Sequence, residues 1–256
     1  MIDIHSHILP GVDDGAQSEE DSIAMAKVAI KEGIHTIVAT PHHKNRTYDN
    51  VRADIEKNVS ILNELFDAEN LDLTVLPGQE VRLYGEILED MDKGEILPIN
   101  DSKYIFIEFP SDSVPHYTEQ LFYDIQLAGY KPVIVHPERN RELLQNPNKM
   151  YNFIRKGALS QVTAASVVGK FGKQIEQYSH QLIESHLTHL IASDAHNTTS
   201  RGFYLRDAYE LVKKKYGVET YYMFVENSHL LIENMNLNKI EPAPVRTKRK
   251  KLFGLF

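Results

Sequence analysis

The sequence predicts an α/β protein whose parallel strands close, or nearly close, into a barrel. Three observations carry this. Apolar runs of strand length alternate about seven times with stretches of helical period, the pattern of successive βα units. Each run is almost continuously apolar, as a strand covered on both faces must be. The length, 256 residues, suits one such barrel, which typically takes about 250.

Residues 1–3 read as a short first strand, with a tight turn at Pro10-Gly11 behind it. Ser18 caps a helix whose first turn holds Glu19, Glu20 and Asp21 at the positive end of its dipole. Ile23, Ala26 and Ile30 recur at helical spacing and Gly33 ends the run. Residues 35–40 form a buried strand closed by Pro41. A helix over about 50–68 puts Val51, Ile55, Val59, Leu62 and Leu65 on one face. A strand over 71–76 leads into Pro77-Gly78-Gln79-Glu80-Val81, and 82–100 reads as a helical or irregular insertion. A strand over 104–108 stops at Pro110, a helix over 118–128 ends at Gly129, and a strand over 132–136 stops at Pro137. Next come a helix near 147–156, a strand over 158–163, a helix over 173–185, a strand over 189–194 and a long helix over 203–216. A shorter strand and helix are expected within 219–235. Pro242 and Pro244 close the body, which gives one domain over 1–240 and a basic, solvated tail over 241–256.

Composition excludes several classes. Hydrophobic content of 42% and charged content of 25% are those of an ordinary soluble protein. No apolar run approaches the ~20 residues that span a bilayer, and no secretion signal opens the chain, so a cytoplasmic protein is expected. With no cysteine, disulfides, thiolate metal sites and cysteine nucleophiles are closed. The net charge is −8, and Arg246, Lys248, Arg249, Lys250 and Lys251 supply five of the 28 basic residues. Removing them leaves the body at −13, a poor surface for nucleic acid.

The chemistry shows when strand ends are compared. His5 and His7 stand two apart, so in an extended segment both point to one face. Asp13 and Asp14 follow, and spacing does not choose between them. The second strand ends near His42, preferred over His43 as the nearer to the strand. The third is followed by Glu80; the next end in Glu108, His136 and Asp194, with His196 two residues on. In a parallel barrel these points share the rim where active sites sit. Loops that merely turned polar would mix Lys, Ser, Asn and Gly there instead. Imidazole and carboxylate without thiolate suit Mn, Fe or Zn. Nine ligands are too many for one ion and fit two or three. Such ions bring the pKa of bound water from 15.7 towards ~7, which makes hydroxide the expected nucleophile. Arg139 and Arg201 follow ligand-bearing strand ends, and their forks match phosphate oxygens. His116, in the loop after Glu108, is left out of the set; Tyr48, Tyr117 and Tyr204 are candidates to stack on an aromatic substrate.

Together, MIDIHSHILPGVDDG, ATPHH, GQE, HPERN and SDAHN resemble the polymerase-and-histidinol-phosphatase (PHP) superfamily. Within it they resemble the manganese-dependent protein-tyrosine phosphatases of Gram-positive capsule and exopolysaccharide operons, over about residues 1–235. The resemblance implies a distorted (β/α)7-type, TIM-like barrel with a trinuclear centre. One ion would take His5, His7, Glu80 and Asp194; a second would share Glu80 and add Glu108 and His136; the third would take Asp14, His42 and His196. Arg139 and Arg201 would clamp the phosphoryl group. The implied substrates are tyrosine-phosphorylated proteins, chiefly a cognate bacterial tyrosine kinase. The alternatives are a small-molecule phosphomonoesterase of histidinol-phosphate-phosphatase type and a non-catalytic phosphoprotein-binding module. For the tail, a peripheral membrane contact is the second reading.

Overall fold

The computed structural model describes residues 1–245; the tail expected over 241–256 lies, from residue 246 onward, outside the described residues. In chain order the elements are β1 (Ile2–Ser6), α1 (Glu19–Glu32), β2 (Thr36–Ala39), β3 (His42–His43), α2 (Arg52–Ala68), β4 (Thr74–Pro77), β5 (Glu80–Arg82), α3 (Ile87–Asp92), β6 (Tyr104–Glu108), α4 (Thr118–Leu127), β7 (Lys131–Val135), α5 (Arg141–Gln145), α6 (Asn148–Arg155), β8 (Leu159–Thr163), α7 (Ala164–Val167), α8 (Lys173–Glu184), β9 (Leu190–Ala192), α9 (Leu205–Tyr216) and α10 (Val218–Ile232).

All pairings within the two sheets are parallel: β1-β2-β4 in one, β3-β5-β6-β7-β8-β9 in the other. The second strand ends before Pro41 as expected, because proline cannot donate to a ladder, and a further short strand, β3, follows beside β5. The third, β4, is followed across Gly78-Gln79 by β5. There a Cβ on residue 78 would lie 2.7 Å from Val38 Cγ1 and 2.9 Å from Ile99 Cδ1, so only glycine fits. The sheets are tied on one side by the β2–β3 and β4–β5 continuities. On the other, the Asp194 N–H donates to His5 O (2.9 Å) and the His7 N–H to Ala195 O (2.8 Å), around a Ser6–Ala195 bridge.

Local chemistry accounts for the ends of α1. The Ser18 side chain accepts from the Asp21 N–H at 3.2 Å, and Gly33 takes the left-handed φ of 85° that stops the helix. Its buried face is Ser22, Met25, Ala26 and Ala29, one step round from the Ile23–Ile30 stripe. One expectation is overturned. Residues 219–235 hold no strand; α10 runs through them, burying Phe224, Asn227, Ser228 and Leu231. That spacing is helical, and it overrides the strand propensity of the aromatic Tyr221-Tyr222-Met223-Phe224 run.

Two apolar clusters sandwich the strands. Ile105, Ile107 and Ile134 join the larger one under the helices, whereas Tyr104, Phe106, Val133, Val135, Leu159, Leu190 and Ala192 form the smaller. The strand period of two carries the smaller cluster's face onward to Glu108, Gln161 and Asp194. In β1, Ile2 and Ile4 belong to that cluster. A register shift between Asp3 and Ser6 then turns His5 onto the same face, its ring 5.5 Å from that of Phe106.

His189, just before β9, is a buried group away from that rim. Its Nδ1 accepts from the Ser160 N–H at 3.3 Å, and burial pushes its pKa down to about 3, Lys239 adding to the effect. The folded value lies below the unfolded one, so its contribution is intact above about pH 6.5 and is lost on acidification towards 3. Between pH 7 and 5 this residue alone should cost about 2 kcal/mol. Urea melts at the two pH values should show His189→Asn losing less stability than wild type by about that amount; equal losses would refute it.

Candidate metal centre

The candidate residues lie at strand ends or in the loops that join them. His5 lies in β1 with His7 just beyond, His42 opens β3, Glu80 opens β5, and Glu108 ends β6. His136 follows β7 with φ 35°, and Asp194 follows β9 with φ 53°. Left-handed backbone at two non-glycine residues is the kind of strain that functional sites retain.

The nine side chains converge. His5 Nε2 lies 3.6 Å from Glu80 Oε2 and 3.5 Å from Asp194 Oδ1; His7 Nε2 lies 3.3 and 3.4 Å from the same two oxygens. His136 Nε2 is 2.6 Å from Glu80 Oε1. His42 presents Nδ1 to Glu80 Oε2 (2.9 Å) and Glu108 Oε2 (3.8 Å), and Nε2 to Asp14 Oδ1 (3.3 Å). His196 Nε2 approaches the same Asp14 oxygen at 3.4 Å. Three groups could each hold an ion: His5, His7 and Glu80; His42, Glu80 and Glu108; His7, Asp14, His42 and His196.

Hydrogen bonds behind the cluster leave its inner atoms bare. His5 Nδ1 meets Gln161 Oε1 at 2.9 Å, His7 Nδ1 meets Asp13 Oδ2 at 2.6 Å, and His196 Nδ1 meets the Asp194 carbonyl at 3.0 Å. Each partner is an acceptor, so Nδ1 donates to it and Nε2 is the ring nitrogen that faces the cluster. Seven inward atoms are buried without a hydrogen-bond partner: Nε2 of His5, His7 and His196, Nδ1 of His42, Oε2 of Glu80 and Glu108, and Oδ1 of Asp194. Apart from the Glu108 oxygen, which Arg82 Nη2 approaches at 3.0 Å, these atoms would each carry a desolvation cost; cations would satisfy them together. The donor set therefore fits divalent ions.

The electrostatics agree. Burial works against charge on Glu80, yet His42, His5 and His136 hold it well below the usual carboxylate range. Burial likewise opposes Asp194, which Arg139 and His7 hold well below it. Despite burial, His7 is raised by Asp13, and His42 is raised to about 10 by Glu80 and Asp14. Burial and Glu80 push Glu108 up to about 7, while burial and Arg139 push His136 down to about 3. In the protein alone, imidazolium supplies the positive charge that these carboxylates need.

Asp13 and Asp14 divide the work. Asp13 faces back, accepting from the Gly15 N–H at 2.9 Å and the His42 N–H at 3.1 Å as well as pairing with His7. Asp14 faces the rim between His42 and His196. His43, next to His42 in an extended strand, points away, its Nδ1 3.0 Å from Asp49 Oδ1.

Asp14, His42, Glu108 and His136 of the cluster line a cavity of about 490 Å³, together with Arg139, Arg201, Arg82 and Phe171. Arg139 Nη2 (2.6 Å) and Arg201 Nη2 (3.1 Å) both reach Asp194 Oδ2, so the two forks meet at one point beside the donors. Arg82 and Phe171 were not singled out by the sequence. Arg82 stands two residues after Glu80 in β5; its Nη2 is 3.0 Å from Glu108 Oε2, and its Nη1 donates to Phe109 O. That i, i+2 spacing was the available signal. Phe171 lies in a loop between helices and had none beyond the glycines beside it. Tyr48, Tyr117 and Tyr204 do not line the cavity.

Comparison with known proteins identifies the family. The family described as "Capsular polysaccharide synthesis, CpsB/CapC" matches residues 1–233. The chain is 51% identical to the tyrosine-protein phosphatase YwqE of Bacillus subtilis (strain 168) over 256 residues, covering all of both chains. It is 44% identical to CapC of Staphylococcus aureus, again over the whole of both. With the tyrosine-protein phosphatase CpsB of Streptococcus pneumoniae it shares 33% over 238 residues, 91% of this chain and 98% of that one. A crystal structure from work on YwqE and CpsB, described as unique metal-dependent tyrosine phosphatases, superposes with a TM-score of 0.94 at 50% identity, over 96% of this chain and 100% of that one.

Proposed function

The chain belongs to the CpsB/CapC family of capsular polysaccharide synthesis, and from that premise we propose that it is a metal-dependent protein-tyrosine phosphatase, a phosphoric monoester hydrolase. The observation that carries the reading is a buried cluster of seven inward donor atoms with two arginine forks meeting on its Asp194, beside a cavity that Asp14, His42, Glu108, His136 and both arginines line.

His5, His7, Glu80 and Asp194 would hold one ion, Glu80, Glu108 and His136 a second, and Asp14, His42 and His196 a third. Manganese is the proposed metal, with iron and zinc compatible with the same N/O donors. When bound, the ions supply an activated water and neutralise developing phosphoryl charge. The protein does the rest. Arg139 and Arg201 receive the phosphoryl oxygens bidentately, and Asp194 holds both forks in register beforehand. Gln161, Asp13 and the Asp194 carbonyl fix the tautomers of His5, His7 and His196. The leaving tyrosyl oxygen is a phenolate, with an ordinary pKa of about 10, so a strong general acid is not required. The proposed substrates are tyrosine-phosphorylated proteins, chiefly a cognate bacterial tyrosine kinase, and the proposed compartment is the cytoplasm, where such a kinase finds its nucleotide. None of the helices among the described residues is long and apolar enough to cross a membrane. The links between the two sheets support a distorted, seven-membered barrel within a single domain over 1–240.

The test is phosphate release from a phosphotyrosine peptide, with histidinol phosphate as the small-molecule rival. Chelation and dialysis should abolish release from the peptide, and Mn2+ should restore it. Full activity in excess chelator, or turnover of histidinol phosphate alone, would overturn the proposal.

A further inference from the structure

We propose that Phe171 is the specificity-determining contact for the substrate's aryl ring, the feature that makes this site prefer an aromatic phosphate monoester to an alkyl one. The inference rests on the phosphatase reading above and deepens it.

The cavity beside the donor cluster is lined almost wholly by polar and charged side chains; its two aromatic residues are Phe109 and Phe171. Phe109 is 5% exposed and packs into the core against Phe122 and Phe153, at ring distances of 6.0 and 5.9 Å. It is already committed. Phe171 is only half-buried. Its ring lies 5.8 Å from the Arg139 guanidinium carbon, within the range of a cation–π contact. It therefore borders the fork that would grip the phosphoryl group, and its remaining surface is open to the cavity. In a phosphotyrosine the ring is one ester oxygen from phosphorus, so a phosphoryl group held by Arg139 brings that ring to the same border.

The loop that carries Phe171 is built to present it. Gly169 (φ 77°) and Gly172 (φ 93°) flank a two-residue tip, both in conformations that glycine adopts freely. The Lys170 N–H donates to Ala165 O and the Gly172 N–H to Gly169 O, which closes the turn. The other tip residue faces away: Lys170 Nζ sits 4.8 Å over the ring of Tyr204, at the start of the helix after Arg201. The tip is thus anchored on the Arg201 side and offers its aromatic ring on the Arg139 side. An alkyl phosphate would leave that ring with no partner.

The experiment compares wild type, Phe171→Ala and Phe171→Tyr in the Mn2+-loaded enzyme. Two readouts are taken: kcat/KM on phenyl phosphate, and the competitive Ki of inorganic phosphate, which has no ring. Phe171→Ala should lower kcat/KM on phenyl phosphate by about 3- to 10-fold, the usual strength of an aromatic pair. The phosphate Ki should stay unchanged, and Phe171→Tyr should restore the aryl rate. A parallel loss in both readouts would mean that Phe171 only props Arg139, and no loss in either would mean that the ring makes no contact; each overturns the proposal. A wild-type enzyme inert towards phenyl phosphate would instead overturn the phosphatase reading on which it rests.

Discussion

Replacing Glu80 with glutamine is expected to reduce kcat/KM on a phosphotyrosine peptide by at least ~10³-fold, the scale of losing preorganised charge at a reacting centre. The substitution conserves shape and removes one negative charge. That charge matters because Glu80 is the most shared member of the cluster: its Oε2 faces His5, His7 and His42, and its Oε1 faces His136. A glutamine would offer one oxygen and one N–H₂ group in their place. The N–H₂ group has no lone pair for a cation, so one of the two carboxylate oxygens that face the histidines is lost as a ligand. Metal content should therefore fall together with rate. In the ion-free protein the fold should survive, since Glu80 is placed by its backbone in β5 rather than by the cluster. Elemental analysis beside steady-state kinetics checks both halves; a Glu80→Gln enzyme of wild-type rate and full metal content would refute the shared-ligand assignment.

Arg139→Ala should cost about 10²- to 10³-fold in kcat/KM while leaving the ions in place. The guanidinium does not face the donor atoms; it reaches Asp194 Oδ2 at 2.6 Å, the oxygen turned away from His5 and His7. Removing it frees that oxygen and empties one side of the phosphoryl clamp, while Arg201 stays on the same oxygen at 3.1 Å. Arg139→Lys should recover only part of the loss, since an ammonium is a point charge and not a fork. Kinetics with parallel metal analysis separates this from the Glu80 result. Metal loss on Arg139→Ala would show that Asp194 needs the arginine in order to bind, and would remove Arg139 from the phosphoryl role.

The βα alternation was legible because buried parallel strands are continuous apolar runs and their ends are marked by Pro41, Pro110 and Pro137. The rim was legible for the same reason: once strand ends are known, His5, His42, Glu80, Glu108, His136 and Asp194 are neighbours in space whatever their distance in sequence. What was hidden depends on tertiary packing. The short strands β3 and β5 are two and three residues long, and the close packing of Val38 and Ile99 on Gly78 that accompanies the second appears only in the folded chain. The division between Asp13 and Asp14 depends on which carboxylate turns back to His7 and Gly15, and adjacent positions look alike until the loop is folded. Residues 219–235 have strand propensity but pack at helical spacing. Phe171 escaped because a single aromatic in a loop carries no period, and Tyr48, more prominent in the sequence, stacks on His42 instead, with rings 6.3 Å apart and 11° between planes.

The most direct test is anomalous diffraction at the manganese edge from crystals of the Mn2+-loaded protein. Two or three peaks are expected among His5, His7, Asp14, His42, Glu80, Glu108, His136, Asp194 and His196, each within coordination distance of its nitrogen and oxygen donors. Crystals with no anomalous peak inside that ring of side chains would contradict the account.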